Sequence, residues 1–187
     1  WQAQTGWNAH KWIKTFNECN EIDGTNRISV FEYDDNLFDI SPYNLKYNVF
    51  GTKEYWFEIT ELDLPKYKKL ADEDKQKIYG LHESGKDKNG NKLYKFKPWA
   101  NGHDGFNLEE NIDRIQGTAA IIHDCDLITV TTKELGKLLA KHTGRKKPIA
   151  ILPNLIDFRL WREQKQNDTG KLRICWAGGN SHYHDWK

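Results

Sequence analysis

The chain has 187 residues with 28 Lys+Arg against 27 Asp+Glu, a formal net charge of +1. That length suits a domain with its own core, and the near balance of charge gives no global pull toward nucleic acid or an acidic membrane surface. Three widely spaced cysteines, Cys19, Cys125 and Cys175, form no CxxC pair, and no apolar run approaches the roughly 18 residues of a membrane span, so reduced thiols in a cytoplasmic protein are expected.

The chain opens at Trp1 and contains no methionine, which reads as a fragment or as a sequence that is not the natural open reading frame. "GWNAHKWIKTFNEC" spaces Trp12, Ile13, Phe16 and Cys19 near helical periodicity and predicts a short amphipathic helix. After the turn cluster "DGTN", the β-branched and aromatic "RISVFEY" (27–33) predicts a buried strand that ends in Asp34, Asp35 and Asn36. Between 41 and 106 the periodicity is lost. "DLPKYKKLADEDKQKIYGL" predicts a helix from about Pro65, and the Asn-Gly of "KDKNGNKLYKFKPW" predicts a hairpin. This stretch reads as an α+β insertion in a simpler core.

Regularity returns at Asn107. Leu108, Ile112, Ile115, Ala119 and Ile122 recur at helical spacing, and "DLITVTT" (126–132) predicts a buried strand. "TTKELGKLLAKHTG" predicts a helix capped by Thr131 or Thr132 and closed by Gly144. "KKPIAILPN" and "KLRICWAGG" predict two further strands. Strands alternating with helices argue for a parallel α/β sheet, in which ligands bind beyond the carboxyl ends of the strands. The polar motifs fall at those ends: Asp34-Asp35, Thr131-Thr132, Pro153-Asn154 and the "GGNSH" run of 178–182.

Each motif admits a functional and a plain structural reading. Gly178-Gly179 after a strand allows backbone N–H groups to approach a phosphate, or makes a tight turn. His182, His184 and Asp185 lack further ligands at metal-site spacing, so no metal is expected. Asp34 and Asp35 suit a general base, a metal ligand or an acceptor from sugar hydroxyls, or else a cap for the turn that follows. The lysines and aromatics of 66–97 could track a nucleic-acid backbone, but the balanced charge favours a solvated surface.

Three blocks, in order, resemble retaining glycosyltransferases of the group 1 (family 4) type. They are "VFEYDDNLFDISPYN", "CDLITVTTKELGKLLAKHTGRKKPIAILPNLIDFRLW" with Pro153, Asn154 and Asp157, and "LRICWAGGNSHYHDW". They span about half of the chain, and 41–106 has no counterpart among them. The resemblance implies a GT-B architecture of two Rossmann-like domains. Residues 1–157 would then be a partial acceptor-side domain with 41–106 inserted, and 158–187 a linker with the first strand and loop of a donor-binding domain. It implies metal-independent transfer from a nucleotide-sugar, which is a substrate and not a resident cofactor, to a glycan, lipid-linked or protein acceptor. Asp34, Asp35 and His182 would carry catalytic roles, and Gly178, Gly179, Asn180 and Ser181 would lie beside the donor phosphates. The competing expectation is a non-catalytic α/β module that holds a glycan or protein partner.

Overall fold

The computed structural model describes residues 6–154. In chain order they form α1 (Trp7–Asp23), β1 (Val30–Tyr33), α2 (Tyr47–Phe50), β2 (Phe57–Thr60), α3 (Glu73–Ile78), β3 (His82–Lys86), β4 (Lys92–Phe96), α4 (Leu108–Asp124), β5 (Leu127–Val130), α5 (Lys133–Thr143) and β6 (Ile149–Ile151). The chain divides into two compact units, one made of residues 37–115 and the other of the segments before and after it.

The divided unit is mixed α/β, with a parallel sheet of order β1-β5-β6 flanked by helices, an arrangement compatible with a Rossmann-like fold. Its register sets Tyr33, Val130 and Ile151 side by side. Ile128, Thr129 and Val130 of the central strand are all buried, as expected of a strand covered on both faces. As an outer strand, β1 is not buried throughout: Val30 is half-exposed and only Tyr33 lies fully inside. The expectation of a buried strand is corrected by this edge position, where one flank has no neighbouring strand among the described residues.

Helix phases also differ from expectation. In α1 the buried positions are Ala9, His10 and Ile13, while Trp12 and Phe16 are exposed and meet each other at a ring separation of 6.4 Å. In α4 the buried face runs through Asn111, Thr118, Ile121 and Ile122, so Ile112 is left exposed. At Gly117 the two helices meet. A Cβ there would come within 2.5–2.7 Å of the backbone of Gly6 and Trp7, so the start of α1 lies directly against α4. His10 Nε2 and Asp124 Oδ2, 2.6 Å apart, tie the same two helices farther along. Helix α5 behaves as expected: the Thr132 hydroxyl accepts from the Leu135 N–H, and Gly144 closes the helix in the left-handed conformation. Gly136 brings α5 close to Val130 and Ile149 on the sheet.

The amino edge of the parallel sheet is held by two buried side chains. Arg145, 5% exposed, donates from Nη1 to the carbonyls of Ile122 (2.6 Å) and Cys125 (2.8 Å), and from Nη2 to those of Asp126 (3.0 Å) and Pro148 (2.8 Å). It thereby satisfies the carbonyls at the end of α4 and at the entries to β5 and β6. Ser29 donates its N–H and hydroxyl to the Asp126 carboxylate at 2.8 and 3.0 Å, joining the entries of β1 and β5.

Residues 37–115 form an antiparallel sheet of order β2-β4-β3 over a core of Ile59, Leu70, Tyr79, Phe96 and Ala100. The predicted hairpin is present as β3 and β4, with Gly90 at positive φ and the Asp87 carboxylate accepting from the Asn89 and Asn91 N–H groups. The helix predicted from Pro65 is broken. Two 3-10 turns (Leu64–Lys66 and Lys68–Leu70) precede α3, because Tyr67 leaves helical geometry and Asp72 starts a fresh helix by accepting from the Asp74 and Lys75 N–H groups. Around Tyr47, buried among Tyr55, Trp99 and Phe106, the hydroxyl donates to the Lys53 carbonyl at 2.7 Å, and burial pushes its pKa up to about 12.

Three stability outcomes are expected. Arg145→Met strands several buried carbonyls and costs about 3 kcal/mol in urea unfolding; an unfolding midpoint equal to wild type would show that those carbonyls have other donors. Gly117→Ala forces α1 off α4 and costs about 2 kcal/mol by the same measurement, whereas no loss would mean that the helices separate without penalty. Hydrogen bonds from Ser29 hold the Asp126 carboxyl below its ordinary pKa. Its contribution is therefore present above the ordinary carboxylate range and is lost as pH falls below about 4. Asp126→Asn should be less stable than wild type at pH 7, with the gap narrowing as pH falls below the ordinary carboxylate range; a gap independent of pH would mean that the charge contributes nothing.

Candidate functional site at the carboxyl edge of the parallel sheet

Strand chemistry stops at the same level in all three parallel strands. After Tyr33, Val130 and Ile151 come Asp34, Thr131 and Leu152, and the Leu152 N–H still donates to the Val130 carbonyl at 2.8 Å. The next residues are Asp35, Thr132 and Pro153, then Asn154. One edge therefore presents two carboxylates, two hydroxyls and a Pro-Asn corner. The register imposed by Arg145 and Asp126 at the opposite edge levels these ends. The sequence expectation that the motifs share the carboxyl ends of parallel strands holds for Asp34-Asp35, Thr131-Thr132 and Pro153-Asn154.

Asp34 and Asp35 are exposed, and among the described residues neither carboxylate makes a hydrogen bond or ion pair. The 3-10 turn that follows (Leu37–Asp39) shows no cap from either. Both therefore remain available to accept hydrogen bonds from a ligand. Next to them Tyr33 is buried, its hydroxyl has no hydrogen-bond partner among the described residues, and desolvation raises its pKa far above the ordinary value. The hydroxyl thus stays protonated and neutral at physiological pH and adds no charge to the edge.

The amino end of α5 meets this edge but is poorly suited to an anion. The Thr132 hydroxyl already accepts from the Leu135 N–H, and Glu134 places a negative charge in the first turn beside Lys133. The first turn thus offers a phosphate no surplus of positive charge, and one of its N–H groups is already used. The edge as built suits a ligand rich in hydroxyl groups, because carboxylates accept well from hydroxyls and require no positive counterpart.

Among the described residues, no group of three or more His, Cys, Asp or Glu side chains could hold a metal ion. No helix of the described residues is long and apolar enough to cross a membrane. His182, Gly178, Gly179, Asn180 and Ser181, together with the segment 158–187 assigned to a second domain, lie outside the described residues. Sequence reasoning did not find the orphaned Tyr33 hydroxyl or the carbonyl clamp of Arg145. The first looks like ordinary strand apolarity in "VFEY", and the second sits among the lysines of "GRKKP", where a cation reads as surface.

No protein-family model matches the chain, and neither a curated protein nor a solved structure matches it.

Proposed function

We propose that this chain belongs to a glycosyltransferase that moves a sugar from a nucleotide-sugar donor to a hydroxyl-bearing acceptor, and that residues 6–36 and 116–154 form part of its acceptor-side, Rossmann-like domain. The observation that carries the reading is the levelled carboxyl edge, where two unengaged carboxylates stand beside Thr131 and Thr132 at the usual ligand position of parallel α/β sheets. The resemblance of three ordered sequence blocks to family 4 glycosyltransferases supplies the reaction class, with retention of configuration and no metal requirement.

In this reading Asp34 and Asp35 orient the acceptor by accepting from its hydroxyls, and the one nearer the attacking oxygen takes up its proton. The lack of a favourable anion site at α5 fits an acceptor side. The donor diphosphate then belongs with Gly178, Gly179, Asn180, Ser181 and His182, whose N–H groups and imidazole would stabilise charge developing on the leaving group. The alternative reading, a module that binds a glycan or protein partner without chemistry, is favoured by the half-exposed Trp56 and Tyr43 of residues 37–115.

Turnover separates the two. The gene product that carries this chain, incubated with a panel of UDP-, GDP- and ADP-sugars, is expected to consume at least one donor. Asp34→Asn or Asp35→Asn should then lower kcat about 10²-fold while leaving thermal unfolding unchanged. If no donor is bound or consumed, the enzyme reading fails; if turnover persists in both variants, the edge is not the site.

A further inference from the structure

In the antiparallel sheet of residues 37–115, alternation sends Phe57, Ile59, Tyr94 and Phe96 toward the core. Trp56, Glu58, Lys95 and Lys97 fall on the opposite face, as the pairing of Glu58 with Lys95 and of His82 with Lys95 requires. Trp56 is 48% exposed on this solvent side. An indole left half in water on a sheet face is costly to keep solvated.

The ring is also held in place. The His82 ring meets it edge-on, with centroids 5.2 Å apart and an interplanar angle of 82°. Lys97 Nζ lies over one face of the Trp56 ring, 5.1 Å from its centroid, so a ligand would stack on the opposite face. At Gly80, whose φ of +63° favours glycine, a Cβ would lie 3.0 Å from the indole Cη2, so the ring edge packs tightly against this turn. Such a platform enters binding with its orientation already fixed, which reduces the entropy lost on association.

The charges around the ring are matched. Lys97 Nζ is 2.5 Å from Glu54, and Glu54 also accepts from the Asn101 N–H at 3.1 Å. Lys95 and Glu58 lie 3.6 Å apart, and the Ser84 hydroxyl donates to Glu58 at 3.3 Å. A phosphate backbone needs a surplus of cations and an acidic or basic peptide needs a surplus of the opposite sign. Neither surplus exists here. What remains is an apolar ring bordered by alternating acceptors and donors, the complement of a neutral pyranose with an apolar face and a rim of hydroxyls that both donate and accept.

We infer that this face is a glycan-binding platform, with Trp56 stacking beneath a neutral hexose ring and the Glu58–Lys95 and Glu54–Lys97 pairs receiving its hydroxyls. The site uses neither the carboxyl edge of the parallel sheet nor a donor, so it stands or falls separately from sugar transfer.

The test is calorimetric titration of the gene product with maltohexaose, cellohexaose and chitohexaose, with oligo-dT as the polyanion control. At least one neutral hexasaccharide is expected to bind, with an affinity nearly unchanged between 50 mM and 500 mM salt. Trp56→Ala should weaken it tenfold or more and Trp56→Phe much less, with any donor turnover retained. Glu58→Gln, an exposed change that leaves the fold intact, should weaken binding severalfold, and it carries the test if Trp56→Ala does not fold. Failure of all three sugars to bind, equal affinity in Trp56→Ala and wild type, or binding of oligo-dT alone with a steep loss in salt would each overturn the assignment.

Discussion

The parallel sheet depends on a buried guanidinium. Three chain segments bring carbonyls to the amino edge of that sheet: the end of α4, the turn into β5 and the approach to β6, where the Pro148 carbonyl also accepts from the Ile128 N–H at 3.4 Å. Arg145 donates to all of them from one planar fork. Buried at 5% exposure, it trades the hydration of its charge for a set of short bonds to backbone oxygens. Lysine cannot reproduce this, because a single ammonium has no fork to span carbonyls more than 20 residues apart in sequence. Once these entries are fixed, the parallel ladder fixes the exits, and Asp34, Thr131 and Leu152 emerge level with one another.

The functional reading follows from how little the protein does to those exits. Several aspartates elsewhere are engaged: Asp126 by Ser29, Asp124 by His10 and His123, Asp104 by Tyr79 and Lys69, Asp87 by the hairpin turn. Asp34 and Asp35, like Glu32, Glu109 and Glu134, are exposed and unengaged among the described residues, and what sets them apart is their place at a strand exit. An unpaired exposed carboxylate contributes little to stability, and its position beyond a parallel strand is where such sheets hold ligands. In the first turn of α5, Lys133 and Glu134 offset each other, so that turn offers no surplus of positive charge.

Much of the parallel unit was legible in the sequence because its signals are local. Thr132 and Gly144 bracket α5 by capping chemistry, and the apolar run "LITV" marks the central strand. What the sequence concealed were the non-local choices. Trp12 and Phe16 look like a core stripe, but α1 meets α4 at Gly117, and Ala9, His10 and Ile13 are buried instead. Val30 looks buried by composition, yet β1 is an outer strand. In residues 37–115, the lysine-rich stretch after Pro65 has helical propensity throughout, and only the extended turn at Tyr67 and the cap at Asp72 divide it. Of the site, the strand-end motifs were visible as polar breaks after apolar runs. Their levelling came from Arg145, whose partners are carbonyls that carry no side-chain signature.

The claim that most needs measurement is that the carboxyl edge of the parallel sheet holds a hydroxyl-bearing acceptor. Backbone amide shifts of the isotopically labelled gene product, followed by NMR as an acceptor glycan found in turnover assays is added, address it directly. The account predicts perturbations concentrated at Asp34, Asp35, Thr131, Thr132 and Asn154, with Ser29, Asp126 and Arg145 at the opposite edge unmoved. Perturbations confined to the amino edge, or absent from the strand exits, would contradict it.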